Sequence, residues 1–150
     1  MRVLIVEDDP NKLLSITKFL NDYSNIQYET RTAFQSGVRA ILSNSFDLLL
    51  LDMSMPVYDV TGRDGGGRSL PLAGRDILFQ LKRKKIHLKT IIITQYEAFG
   101  GMSLENLHQN LLQEFSENYV GYVYYNVTQD NWRHSLAHLL LEQGVQEGKK

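Results

Sequence analysis

The chain of 150 residues reads as one doubly wound α/β domain: a five-stranded parallel sheet, strand order 2-1-3-4-5, with helices on both faces. Three observations predict this. Three short apolar runs, VLIV at 3–6, LLLL at 48–51 and III at 91–93, have the continuous hydrophobicity of strands covered on both sides. Two further segments, IQYETR at 26–31 and YVYY at 122–125, are amphipathic and suit the edges. Helical stripes fill every gap, so strand and helix alternate five times, which calls for right-handed crossovers and a parallel sheet.

The elements follow in order. After the first strand, Asp9-Pro10 is an N-cap followed by proline at the first helical position. Leu13, Ile16 and Leu20 then repeat at helical spacing. The second strand leads to a stripe of Phe34, Val38, Ile41 and Leu42. The third strand ends in Asp52 and is followed by VYDVTGRDGGGRSLPL, residues 57–72, a Gly-rich surface loop. Ala73, Ile77, Leu78 and Leu81 mark the third helix. Ser103 is placed to cap a fourth, which carries Leu104, Leu107, Leu111, Leu112 and Phe115. Trp132, Leu136, Leu139 and Leu140 mark the fifth, with Trp132 as a core anchor.

Composition narrows the function. Net charge is −1, so no basic field argues for nucleic acid. There is no cysteine, hence no disulfide framework and no thiolate metal site. No apolar stretch approaches the roughly 20 residues that span a bilayer. The opening MRVLIVEDD turns acidic too early for a signal peptide. The expectation is a cytoplasmic protein with no membrane or nucleic-acid partner. His134 and His138, four apart with no third ligand, read as solvated. The triple glycine at 65–67 lacks the strand and helix context of a nucleotide loop and reads as linker.

In an open parallel sheet, ligands bind at the carboxyl ends of the strands, where the strand order reverses. The first strand ends in Glu7, Asp8 and Asp9, the third in Asp52 and the fourth in Thr94. With those strands adjacent, their side chains converge. Crowded carboxylates raise each other's pKa unless neutralised, and the simplest remedy is a hard divalent cation such as Mg2+ (or Mn2+), which takes carboxylate, water and phosphate oxygens.

At this point a resemblance appears. VLIVEDDP, LLLLDMSMP, IIIT and GYVYYN, in that order, resemble the receiver domain of two-component response regulators, which has the flavodoxin-like fold. The similarity covers residues 1–56 closely and 73–140 with expansions. It implies that Asp52 is the phosphoacceptor and that Glu7 and Asp8 hold magnesium together with Asp52. It implies that the backbone carbonyl of Ser54 joins the metal, that Thr94 bonds the phosphoryl group, and that Thr94 and Tyr122 form the switch. Pro56 matches the proline four residues after the acceptor. The implied partners are a histidine kinase or phosphotransfer protein and an unknown downstream protein; a homodimer stays open.

The sequence departs from the family in four places. Tyr125 and Asn126 stand where a lysine and a proline end the fifth strand, so the cation that pairs with the phosphoryl group is lost at that position. Gln95 follows Thr94 where a small residue is usual. The loop near 57–72 is an insertion, and the region near 95–120 is expected to carry an extended fourth helix. Arg63, Arg68 and Arg75 in or after the Gly-rich loop are candidates to replace the lysine, with solvated arginines as the plainer reading.

Two functions compete. The first is a stand-alone receiver in phosphorelay signal transduction that accepts a phosphoryl group on Asp52 and signals through a protein–protein contact. The second is a phosphorylation-independent pseudo-receiver acting as a protein-binding module. An enzyme of the phosphoaspartyl phosphatase kind has little support, because Asp52 is followed by Met53, Ser54 and Met55 rather than by a second aspartate two residues on.

Overall fold

A computed structural model describes residues 1–59 and 69–145. The elements in chain order are β1 (Arg2–Val6), α1 (Pro10–Leu20), β2 (Gln27–Arg31), α2 (Phe34–Ser43), β3 (Leu48–Leu51), β4 (Met55–Pro56), β5 (Ser69–Leu70), α3 (Ala73–Arg83), β6 (Lys89–Thr94), β7 (Ala98–Phe99), β8 (Met102–Ser103), α4 (Leu104–Glu114), β9 (Tyr119–Tyr124) and α5 (Asn131–Glu142). The main sheet has the order β2-β1-β3-β6-β9, with every pair parallel. Counting only its five long strands, this is the expected 2-1-3-4-5.

The three apolar runs lie at the centre because only there are both faces covered. All four residues of β3 are buried, and their side chains alternate between two cores. Leu49 and Leu51 join α2, α3 and α4 through Ile41, Ile77, Leu78 and Leu107. Leu48 and Leu50 join α1 and α5 through Ile16, Leu20, Trp132 and Leu136. Each leucine buried from water contributes about 1.5–3 kcal/mol. The same alternation decides the site. Continuing the period of two past Leu51 and Val6 turns Asp52 and Glu7 toward the α1 and α5 side.

Local chemistry sets the helix starts. The Asp9 side chain accepts from the N–H groups of Asn11 and Lys12, with Pro10 next in the chain. Ser103 Oγ accepts from Asn106 N at 3.1 Å and caps α4. The stripe expected on α2 holds at Ile41 but not at Leu42, which is 53% exposed, because it lies one step round the helix from the core-facing row.

The two expansions take the form of small hairpins. β4 and β5 pair antiparallel, Met55 with Leu70 and Pro56 with Ser69, and so close the base of the Gly-rich insertion. Its middle, with Arg63 and Arg68, lies outside the described residues. β7 and β8 pair around Gly100 and Gly101, whose φ values of 56° and 88° belong to the left-handed region that glycine tolerates. The expected extension of the fourth helix is corrected here: α4 has 11 residues, as α1 and α3 do. The added chain between β6 and α4 turns back on itself instead. No helix among the described residues is long and apolar enough to cross a membrane.

Candidate functional site

The site is built where β1, β3 and β6 end. Asp52 N donates to Val6 O at 3.0 Å, which locks the end of β3 beside the end of β1. One carboxylate oxygen from each of Glu7, Asp8 and Asp52 lies within 4.8 Å of the others. Glu7 and Asp52 are buried and Asp8 is exposed. Two carboxylates at such a distance repel by roughly 3 kcal/mol at an effective dielectric constant near 20, so the cluster needs positive charge.

Part of that charge comes from a residue that no sequence motif singles out. Lys12, in the first turn of α1, is 1% exposed. Its Nζ stands 2.5 Å from Glu7 Oε1 and 3.1 Å from Asp52 Oδ1. It also donates to the backbone carbonyl of Ile93 at 2.6 Å. Burial alone would lower the lysine pKa, but Asp52 and Glu7 outweigh it and hold the ammonium above its ordinary value. Burial pushes Glu7 up to about 8, against the pull of Lys12. Asp8 is raised as well, by partial burial and then by the Asp52 charge.

A signal for Lys12 is nonetheless present. Lys12, Ile16 and Leu20 are four apart, and all are buried on α1. The core-facing row of that helix therefore begins with a lysine, directly after an acidic strand end. A cation in the first helical turn also opposes the helix dipole, which makes a purely structural lysine there a poor choice.

The remaining candidates are placed as follows. Asp52 Oδ1 accepts from its neighbour's backbone, Met53 N, at 2.8 Å and from Lys12. Oδ2 takes no hydrogen bond among the described residues. Thr94 ends β6 fully buried, and its Oγ1 accepts from Tyr96 N at 3.2 Å. Ser54 and Gln95 are half-buried. Asp9 is occupied with capping α1. Tyr122 lies on the α4 side, its ring 5.0 Å from that of His108. The register pairs Thr94 with Tyr124, which makes Tyr122 its diagonal neighbour.

Tyr125 does not take over the role of a cation. Its hydroxyl donates to Ser15 Oγ on α1 at 3.0 Å. Its ring packs 5.2 Å from Trp132, with Lys12 Nζ 6.0 Å from the ring centre. Arg75 is engaged elsewhere: it pairs with Glu114 at 3.2 Å and lies over Phe79. Of the three arginine candidates, Arg75 therefore does not reach the strand ends, whereas Lys12 does.

No protein-family model matches the chain. The Detocs response regulatory protein DtcB of Enterobacter cloacae is 29% identical over 149 residues, covering 95% of this chain and 99% of that one. The signal receiver domain of a putative Luxo repressor protein from Vibrio parahaemolyticus superimposes with a TM-score of 0.66 at 20% identity, covering 95% of this chain and 92% of that one. The chain has the receiver fold of response regulators. A second solved structure, the response regulator TrrA of Thermotoga maritima in complex with Mg(2+)-BeF, gives a TM-score of 0.56 at 19% identity, with 92% and 97% of the two chains covered.

Proposed function

We propose that this receiver-fold protein works in phosphorelay signalling and accepts a phosphoryl group on Asp52. The observation that carries this reading is the convergence, at two adjacent strand ends, of a buried carboxylate on Asp52, two flanking carboxylates and an ammonium. Similarity to a response regulatory protein over nearly the full length of both chains supports it.

The chain's own residues suit the chemistry. In-line transfer from a phosphohistidine forms an oxygen–phosphorus bond to Asp52 and breaks the phosphorus–nitrogen bond, and the imidazole nitrogen recovers a proton. Such transfer needs positioning and charge neutralisation more than covalent help. Met53 N and Lys12 hold Oδ1, which leaves Oδ2 as the attacking oxygen. Thr94, at the adjacent strand end, supplies a hydroxyl for the new phosphoryl oxygens and sits diagonal to Tyr122. Glu7, Asp8 and Asp52, with the Ser54 carbonyl, would hold magnesium or manganese, which neutralises the incoming oxygens when bound. The donor set fits a hard dication: with all three carboxyl groups ionised, as ligation requires, one ammonium leaves a deficit of two positive charges. The TrrA complex with magnesium and beryllium fluoride is the parallel for such a site.

A histidine kinase or phosphotransfer protein is the phosphodonor in this reading, and a protein contact is the output. The test is incubation with magnesium and acetyl phosphate, read by intact mass. Wild type should gain one phosphoryl group, and Asp52→Ala should gain none. A phosphorylated Asp52→Ala protein refutes the assignment. A wild type inert toward both small donors and kinases favours the pseudo-receiver, a binding module that ignores phosphate.

A further inference from the structure

We propose that Lys12 is the phosphoryl-binding cation of this receiver, carried on the first helix rather than on the last strand of the sheet. The inference rests on the phosphoacceptor reading of Asp52 and extends it to how the bound group is held and sensed.

Four observations carry it. The end of β9 offers no charge, and the Tyr125 hydroxyl is committed to Ser15. Lys12 enters from the facing helix across the Tyr125 ring, so the ammonium reaches the space between the strand ends from the other side. Its ammonium is anchored there, donating to the Ile93 carbonyl at 2.6 Å and paired with the Glu7 carboxylate. Finally, the buried lysine touches the acceptor itself at 3.1 Å.

The consequence is a different route for the signal. A phosphoryl group on Oδ2 brings new negative charge next to an ammonium already 3.1 Å from Oδ1. Charge-assisted hydrogen bonds to phosphoryl oxygens are about twice as strong as neutral ones, so Lys12 exchanges its weaker contacts for the new oxygens. The Ile93 carbonyl is the neutral partner and is released first. Ile93 precedes Thr94, and Lys12 lies one turn before Ser15 and Ile16. The arrival of phosphate is therefore felt in α1 and at the end of β6, and less in β9.

The test compares wild type, Lys12→Met and the double variant Lys12→Met/Tyr125→Lys, with magnesium alone, with beryllofluoride plus magnesium, and with acetyl phosphate. Lys12→Met should phosphorylate roughly ten- to a hundred-fold more slowly, the range for loss of one hydrogen bond to a charged group. Its magnesium affinity should hold or rise, because a positive charge has left the cluster. A purely structural role would lower both. The double variant should regain much of the rate, since it returns the cation from the β9 side. In wild type, amide shifts on adding beryllofluoride should be largest at residues 11–16 and 93–94. Lys12→Met at the wild-type rate overturns the proposal, as do wild-type shifts that spare α1. The second measurement needs no variant and decides the matter should Lys12→Met fail to fold. A wild type that takes neither phosphate nor beryllofluoride sinks the phosphoacceptor reading instead.

Discussion

Glu7 is where burial and charge compete most directly. Its side chain is 2% exposed, and burial raises its pKa from 4.5 to about 8 in the metal-free protein. The folded state then holds a proton that the unfolded state gives up near 4.5. Between those two values the folded chain binds more protons, so stability falls as pH rises. The expected loss from pH 6 to pH 8 is about 2 kcal/mol, since a tenfold difference in proton affinity is worth about 1.4 kcal/mol. Urea unfolding in chelator should show this slope in wild type, and Glu7→Gln should flatten it. A wild type equally stable at both pH values would place the Glu7 proton elsewhere. The same residue shows what a sequence reveals and conceals. Glu7, Asp8 and Asp52 are legible because a carboxylate at the end of an apolar strand gains nothing from packing there. Lys12 is not, because a lysine in a helix is ordinarily solvated. Only the spacing to Ile16 and Leu20 distinguishes it, and Leu13 offers a competing stripe through the same helix.

Among the elements, α3 approaches the backbone of the proposed acceptor at very close range. Gly74 N donates to Met53 O at 2.8 Å. A Cβ at Gly74 would lie 2.7 Å from the Asp52 carbonyl oxygen and 3.1 Å from Met53 Cα. Both are backbone atoms, so no side chain can move aside. Gly74→Ala should force α3 off the end of β3 and cost about 1–3 kcal/mol, the usual range for overpacking. Because the strain falls on the acceptor's own peptide unit, metal affinity should drop with it. Calorimetric unfolding and magnesium titration of the variant would check both, and an unchanged affinity would mean that α3 alone absorbs the strain. The elements themselves were largely legible: five strands and five helices stand where apolar runs, stripes and caps place them. The two hairpins were not. Strands of two residues have no periodicity to detect, and Gly100–Gly101 signals a turn without saying what flanks it. The expected longer α4 came from counting residues, which cannot tell a longer helix from a folded-back loop.

At the scale of the whole molecule, the site is where one sheet's two cores meet at its open end. Leu51 and Val6 belong to the core under α2, α3 and α4, while Asp52 and Glu7 continue the strands onto the α1 side. The charged cluster is thus fastened to both layers, and what happens there acts on the stability of the entire chain. Without metal, Asp8 is a liability: burial and then the Asp52 charge both raise its pKa. In the proposed metal site it would be a ligand. The two conditions should therefore give Asp8→Ala opposite signs. In chelator the variant should unfold at the wild-type midpoint or slightly above it, because a like-charge repulsion is gone. In magnesium at about one hundred times the wild-type dissociation constant, wild type should gain about 2.7 kcal/mol from binding to the folded state alone. Asp8→Ala should gain much less, so the order of stability reverses between the two buffers. Equal gains in both proteins would show that Asp8 does not touch the metal, and the site would reduce to Glu7 and Asp52 with Lys12 between them.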